Sequence, residues 1–403
     1  MRESIKDRVA IIGMGSTKFG ERWNAGIDDL IVEAADEALR DAGVELKDIQ
    51  AIWFGTLNGS QQTEAHCPTG MVVSSALQTH DIPVTRLENA CASGQEAIRG
   101  AALGVASKCY DLVLAIGAEK LKDVGLAGLG AGMPGKAETV YGVFATAPAR
   151  YSMSATAYFS KYGLSPEEGK RVLAEIAVKS HYYGARNPKS HLKIELTVEK
   201  ALGAPIISWP LGLYDCCGVT DGAAAAVLCP AEIAKNFRDD YVTIKGFGIS
   251  ASAGWGKERE DYDFTSWDST VVAARQAYAE AGITNPFKEL DLVELHDCFT
   301  IAELIATESL GLCPPGKYKE YFTDTKAYYH DGEMPINISG GLKSFGHPIG
   351  ASGCREVYEI YKQIQGKAEE PARQIKNARL GLAHNQGGSP GRFVCGVVIL
   401  GTH

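Results

Sequence analysis

The segment AADEALRDAG at residues 34–43 recurs, in altered form, as AARQAYAEAG at residues 273–282. The two copies match at five of their ten positions, and every match is an alanine or a glycine. Each copy has the spacing of an amphipathic helix that ends on a glycine, Gly43 or Gly282, which is typical of a left-handed helix cap. The chain therefore contains a distant copy of itself.

The segments around these helices repeat as well. Short apolar runs before them, VAIIGMG (9–15) and VTIKGFG (242–248), predict buried strands. A second helix is predicted at ASGQEAIRG (92–100) and again at ASGCREVYE (351–359). Further strands are predicted at IQAIWFG and DLVLAIGAE in the first copy, and at LDLVELHD and LGLAHNQGG in the second. This alternation predicts an α/β fold of two βαβ-rich halves, with parallel sheets covered by helices.

A middle stretch, residues 120–215, has no counterpart in the second half. It is rich in Gly, Pro, Tyr and Ser, so we interpret it as an inserted, lid-like subdomain. The chain then divides into a first half (1–119), the insertion (120–215), a return to the first half (216–240) and a second half (241–403). A length of 403 residues is consistent with more than one core.

Composition argues against several classes of function. The net charge of −9 disfavours broad binding to nucleic acids or membrane surfaces, and no apolar run reaches membrane-spanning length. The N-terminal residues lack a signal-peptide pattern. The ten cysteines show no regular spacing and no C-x-x-C, which favours reduced thiols over a disulfide or zinc framework. We therefore expect a cytoplasmic protein.

Four short segments fall at predicted strand ends, where ligands bind in such sheets. They are NACASG (89–94), HDCF (296–299), GHPIGASG (346–353) and HNQGG (384–388). Cys91 precedes a helix, whose dipole favours the thiolate and hence a nucleophile, although a buried inert thiol would fit the same pattern. His347, between a glycine and a proline, would present its ring to a cleft as a base, or to solvent as an ordinary turn residue.

The HDCF segment offers a second pair of candidates. Because side chains alternate along a strand, His296 and Cys298 are predicted to share one face and Asp297 the other. A metal bound by this pair would need a third ligand, and none is recognisable nearby, so no metal site is expected. The segment around His384 does not show by itself whether that residue is functional or structural.

Taken together and in order, NACASG, DCCGVTDGAAA, HDCF and GGLKSFGHPIGASG resemble the thiolase superfamily, over essentially the whole chain. The sterol-carrier-protein type thiolases and related acetyl-CoA acetyltransferases are the most similar branch. The resemblance implies two fused βαβαβαββ halves in a five-layer α-β-α-β-α arrangement, with an inserted loop domain over coenzyme A. It implies acyl-CoA and CoA as ligands and no further cofactor. It also implies a homodimer or tetramer with residues 55–90 in the contact, and two candidate partners: a small zinc-ribbon/OB-fold protein and hydroxymethylglutaryl-CoA synthase.

The resemblance also assigns roles. Cys91 is similar to the acyl-accepting nucleophile and His347 to the base that generates its thiolate. His296 and His347 would then hold the enolate oxygen of the second substrate. Backbone amides at Cys91 and near Gly387 or Gly388 would stabilise the oxyanion that forms on the thioester.

One departure concerns the second catalytic cysteine, which ordinary thiolases carry in a C-terminal Cys-x-Gly motif. This chain has AHNQGG there, so Cys298 becomes the candidate acid/base, with His384 as its rival. The predicted function is a thiolase that forms or cleaves a 3-oxoacyl-CoA such as acetoacetyl-CoA. The alternatives are a retro-aldolase acting on an acyl-CoA side chain, an acyltransferase to a non-CoA acceptor and, less favoured, a non-catalytic acyl-CoA-binding scaffold.

Overall fold

The computed structural model describes residues 4–57, 69–124, 146–252 and 261–403. The predicted contact region 55–90 and the insertion 120–215 therefore lie partly outside the described residues. The strands are β1 Val9–Ser16, β2 Ala51–Gly55, β3 Val84–Leu87, β4 Val113–Glu119, β5 Ile206–Ser208, β6 Leu211–Gly212, β7 Gly222–Pro230, β8 Val242–Ala251, β9 Leu292–Leu295, β10 Leu380–Ser389 and β11 Arg392–Thr402. The helices are α1 Ile27–Ala42, α2 Thr69–Leu77, α3 Ser93–Ala106, α4 Ala147–Tyr162, α5 Pro166–Arg186, α6 Val198–Leu202, α7 Ala231–Ala234, α8 Asp268–Ala281, α9 Pro286–Glu289, α10 Thr300–Ser309 and α11 Ser352–Ile364.

The repeat is visible at the ends of α1 and α8. Gly43 follows α1 with φ 70°, and its N–H donates to the carbonyls of Arg40 and Leu39. Gly282 follows α8 with φ 83° and donates to the carbonyl of Tyr278. Both predicted glycine caps are therefore confirmed. Glycine suits these positions because it adopts the left-handed conformation without strain.

The strands of the two halves are hydrogen-bonded across one short seam, so the two β layers of the fold are continuous with each other. Nine strands follow the order β3-β2-β4-β7-β1-β8-β11-β10-β9, and the halves meet at β1 and β8. That seam has two residue pairs, Ala10 with Thr243 and Ile11 with Val242. The outer pairs, β2–β3, β2–β4 and β9–β10, are parallel, whereas β7 and β11 run antiparallel to both of their neighbours. The prediction of parallel sheets is therefore wrong for the inner strands; β11, for example, returns from β10 through a tight turn.

The helices form layers around these strands. Helices α3 and α11 pack against each other and against strands of both halves, so they lie between the halves. On the outer faces, α1 covers β1 and β7, and α8 covers β8 and β11. The arrangement is the five-layer α-β-α-β-α fold that the resemblance implies.

Glycines allow the halves to approach most closely beside the predicted strand ends. A Cβ added to Gly94 at the start of α3 would lie 2.4 Å from the carbonyl oxygen of Gly350, and one added to Gly117 of β4 would lie 2.2 Å from the same atom. Real Cβ atoms do not approach backbone so closely, so these positions have no room for a side chain. The turn that carries His347 is thus packed directly on the first half.

The described part of the insertion is mainly helical and includes one short antiparallel strand pair, β5–β6. Helix α5 begins with a capping box, in which Ser165 Oγ accepts from the N–H of Glu168 at 3.2 Å and Glu168 Oε2 accepts from the N–H of Ser165 at 2.9 Å. Helices α4 and α5 both pack against α10 of the second half. Within the described ranges, no helix combines the length and apolar content needed to span a membrane.

Candidate active site

Cys91 lies in a constrained turn between β3 and α3. Ala90 has φ 48°, which is uncommon for a residue with a side chain. Ser93 fixes the turn: its Oγ accepts from the N–H of Asn89 at 2.9 Å and donates to the carbonyl of Ala90 at 2.6 Å. The turn therefore presents Cys91 at the start of α3, as the sequence predicts.

The thiol of Cys91 is not predisposed to ionise. Burial raises its pKa to about 12, the negative charge of Glu119 adds to the increase, and hydrogen bonds from the amides of Gly388 and Cys91 itself oppose it. The prediction that the helix start favours the thiolate is wrong for the free protein, because desolvation outweighs the helix dipole. The two amides nevertheless lie beside the sulfur. They are therefore close to the carbonyl oxygen of a bound thioester, which becomes an oxyanion when the sulfur attacks.

Strand β10 reaches this turn through two glycines. A Cβ at Gly387 would lie 2.3 Å from the carbonyl oxygen of Asn89 and 2.7 Å from the amide nitrogen of Cys91. Gly388 has φ 119°, a conformation that side chains disfavour. Gly388 therefore supplies the amide, and Gly387 permits the close contact.

Two histidines from the second half converge on Cys91. His296 follows the end of β9, and His347 lies in the turn before α11. A ring nitrogen of each and the sulfur of Cys91 all lie within 4.8 Å of one another. Cys91, His296 and His347 are three residues of types that bind metals, a grouping that the sequence did not predict. A nucleophile with its two histidines accounts for the same cluster.

His347 is held in one tautomer. Its Nδ1 lies 2.6 Å from Ser352 Oγ, and that hydroxyl donates to the carbonyl of Pro348 at 3.0 Å. The hydroxyl therefore accepts from Nδ1–H, which leaves the lone pair on Nε2. Burial lowers the pKa of His347 to about 3, so the ring is a neutral base.

His296 has a different partner. The side-chain nitrogen of Asn385 lies 3.4 Å from its Nδ1 and donates to Glu356 Oε1 at 2.8 Å. Burial lowers the pKa of His296 well below its usual value, and the neighbouring His347 adds to the effect. Both histidines of the site are therefore neutral.

Cys298 lies on the same side as His296. Burial raises its pKa well above the usual value, the nearby Cys217 adds to this, and a hydrogen bond with Tyr151 opposes it. Tyr151 of α4 is buried, and its hydroxyl lies near both Cys298 and Cys91. Asp297 points away and accepts from the N–H of Leu342 at 2.5 Å. Strand β9 ends at Leu295, earlier than the sequence suggests, so the alternation predicted for His296, Asp297 and Cys298 falls beyond the strand.

His384 does not join the cluster. Its Nε2 lies 3.1 Å from Thr270 Oγ1, and its Nδ1 lies 3.5 Å from the backbone nitrogen of His296. Burial lowers its pKa to about 3. His384 thus lies next to His296 but outside the Cys91 cluster, and its role as the rival acid/base stays a prediction.

Three residues of the site escaped sequence reasoning. Tyr151 comes from the insertion, where no motif marks it. Ser352 and Asn385 lie inside quoted motifs, but nothing in the sequence shows which histidine each of them contacts.

Comparisons with known proteins place this site in a family. The thiolase N-terminal domain model matches residues 9–207, and the model described as thiolase C-terminal domain-like matches residues 255–401. An acetyl-CoA acetyltransferase of Methanocaldococcus jannaschii is 39% identical over 95% of this chain and 96% of its own. Sterol carrier protein 2 of Gallus gallus is 30% identical over 94% of this chain and 70% of its own. The solved Ltp2-ChsH2(DUF35) aldolase superposes with a TM-score of 0.80 at 23% identity, over 99% of both chains, which shows the shared fold. The chain therefore belongs to the thiolase superfamily, in the branch that includes sterol carrier protein 2.

Proposed function

We propose that the protein is an acetyl-CoA C-acyltransferase that forms or cleaves a 3-oxoacyl-CoA, such as acetoacetyl-CoA, through an acyl-enzyme on Cys91. The observation that carries the proposal is the convergence of the Cys91 sulfur with nitrogens of His296 and His347 within 4.8 Å. Amides of Cys91 and Gly388 directed at the same sulfur support it. The reaction as proposed uses side chains and CoA thioesters, without a further cofactor.

In the first step, Nε2 of His347 takes the proton of Cys91. The resulting thiolate attacks the thioester carbonyl, and the oxyanion accepts hydrogen bonds from the amides of Cys91 and Gly388. Collapse expels the thiolate of CoA, which takes the proton of the Cys298 thiol. The products are the acyl-Cys91 thioester, free CoA, an imidazolium at His347 and a thiolate at Cys298.

In the second step, acetyl-CoA replaces CoA. The Cys298 thiolate removes a proton from the acetyl methyl group; its raised pKa makes it a strong base once it has lost its own proton. The enolate oxygen accepts hydrogen bonds from His296 and from the His347 imidazolium. The enolate carbon attacks acyl-Cys91, and the Cys91 thiolate leaves and recovers its proton from His347. Every group returns to its starting state.

A retro-aldolase is the second candidate, because the Ltp2-ChsH2(DUF35) aldolase has the same fold. At 23% identity that likeness carries the fold alone. The presence of both Cys91 and Cys298 favours acyl transfer, because carbon–carbon cleavage at a side-chain hydroxyl needs no acyl-enzyme.

We further propose a cytoplasmic homodimer or tetramer. Among the described residues, β3 is the terminal strand at one edge of the sheet and precedes the Cys91 turn, so it is suited to a two-fold contact. A small zinc-ribbon/OB-fold protein is the partner we propose to test first, because the aldolase named above contains a DUF35 component.

The decisive experiment incubates the protein with acetyl-CoA or acetoacetyl-CoA and maps adducts by peptide mass spectrometry. Acyl transfer predicts an acetyl group on the peptide containing Cys91. Condensation and CoA-dependent cleavage should both be detectable across a panel of acyl-CoAs. Cleavage of a side-chain 3-hydroxyacyl-CoA to a ketone, without an adduct on Cys91, would support the retro-aldolase instead.

A further inference from the structure

The side chain of Asn385 bridges two buried groups of the second half. Its Nδ2 donates to Glu356 Oε1 at 2.8 Å and lies 3.4 Å from Nδ1 of His296. Glu356 and Asn385 have no exposed surface, and His296 is 1% exposed. The amide nitrogen of Asn385 faces both partners, whereas its oxygen has none, so the direction of each hydrogen bond follows from this orientation of the amide.

The series of hydrogen bonds from Glu356 through Asn385 to His296 begins at the carboxyl group of Glu356. Its Oε1 accepts from the amide nitrogen of Asn385, which faces it at 2.8 Å. The second hydrogen of that nitrogen then points toward Nδ1 of His296, which must carry the lone pair. A neutral imidazole with its lone pair on Nδ1 carries its hydrogen on Nε2.

We infer that Asn385, held by Glu356, is a positioning residue that fixes His296 as the Nε2–H tautomer, so that His296 donates to the enolate oxygen and does not act as a base. This inference rests on the proposed function for its catalytic meaning. The tautomer itself follows from the contacts alone.

The neighbouring His347 shows why such a device is needed. Ser352 accepts from its Nδ1–H, so His347 presents a lone pair on Nε2. The two rings are neighbours and both are buried, yet the proposed steps need a base at His347 and a donor at His296. Different second partners, a serine hydroxyl and an asparagine amide, separate the two roles.

The test reverses the polarity of the chain while keeping its shape. In the double variant Asn385→Asp with Glu356→Gln, the glutamine nitrogen donates to the new carboxylate, which then accepts from Nδ1–H of His296. In the matched single variant Glu356→Gln, the glutamine oxygen still accepts from Asn385, so the original direction is retained. The two proteins differ in one side chain.

The primary readout is the tautomer of His296 in protein labelled with ¹⁵N-histidine, observed near neutral pH. The chain has nine histidines, and loss of a signal in His296→Asn assigns the one of interest. We expect Nε2–H in the wild type and in Glu356→Gln, and protonated Nδ1 in the double variant. A wild-type Nδ1–H tautomer overturns the inference, and this measurement needs no altered protein to fold.

The second readout is the exchange of acetyl α-protons of acetyl-CoA into deuterated water. If His296 becomes a neutral Nδ1–H tautomer, exchange in the double variant should fall about 100- to 1,000-fold below Glu356→Gln, as for loss of one oxyanion donor. Equal exchange with an unchanged tautomer would overturn the inference. Failure of the wild type to acylate Cys91 would instead overturn the proposed function and leave the tautomer assignment standing.

Discussion

The imidazole rings of His296 and His347 are nearly perpendicular, at 88°, with centroids 5.1 Å apart. One ring comes from the end of β9 and the other from the turn before α11, so the angle lets a nitrogen of each reach the sulfur of Cys91. Burial lowers the pKa of both histidines and raises that of the thiol. The resting cluster therefore carries no net charge, and charge forms there only during the reaction.

The neutral cluster predicts a pH dependence for alkylation of Cys91. Its pKa of about 12 lies far above neutrality and that of His347, about 3, lies far below, so the thiol predominates from pH 4 to pH 11. The thiolate fraction, and with it the rate of reaction with iodoacetamide, should rise about tenfold per pH unit between pH 7 and 9. Mass spectrometry of the Cys91 peptide over time measures this rate. A plateau below pH 8 would show a preformed thiolate–imidazolium pair.

The nucleophile itself is tested by Cys91→Ala. The variant should fold, because the replacement is small and the turn is fixed by Ser93, but turnover should fall by orders of magnitude, since no acyl-enzyme can form. Thermal unfolding provides the control for folding. An acetyl adduct that persists on Cys217 or Cys298 with unchanged turnover would remove Cys91 from the mechanism.

The second acid/base is tested by comparing Cys298→Ala with His384→Ala. Cys298 shares a site with Cys91 and Tyr151, whereas His384 is bonded to Thr270. Cys298→Ala should retain acylation of Cys91 and lose most α-proton exchange, whereas His384→Ala should retain exchange to the extent that it folds. Exchange that depends on His384 and not on Cys298 would show that the histidine is the base.

The contact between β10 and the nucleophile turn is tested by Gly387→Ala. The added methyl would lie 2.3 Å from the carbonyl oxygen of Asn89, so β10 or the turn must move and the amides would no longer converge on the sulfur. We expect kcat to fall at least tenfold. Gly20→Ala is the matched control, since its methyl would meet a single atom at 3.9 Å. Equal activity in the two variants would show that the close contact is dispensable.

The oligomeric state is tested by sedimentation velocity at micromolar concentrations. The exposed edge at β3 and the proposed two-fold contact predict a dimer or tetramer. A stable, active monomer at the same concentrations would contradict that proposal.

Sequence patterns predicted the fold well because the ends of the repeated helices are marked by capping glycines, Gly43 and Gly282. They failed where a contact depends on distant segments. Tyr151 of α4 lies beside Cys298, and no motif in the insertion predicts that contact. The ionisation state of Cys91 is mispredicted for a similar reason. The dipole of α3 can be predicted from the local sequence, whereas the burial that raises the pKa of Cys91 depends on segments of the second half.

The close contact of Gly350 with Gly94 and Gly117 has a consequence for biosynthesis. Cys91 belongs to the part of the chain made first, while His347 and the Gly388 amide are made last. An unfinished chain thus has the cysteine and its own amide, but neither the base nor the Gly388 amide. It cannot take an acyl group through the proposed steps until the final strands have docked. Acyl transfer by these steps therefore begins only when the whole chain has been made and folded.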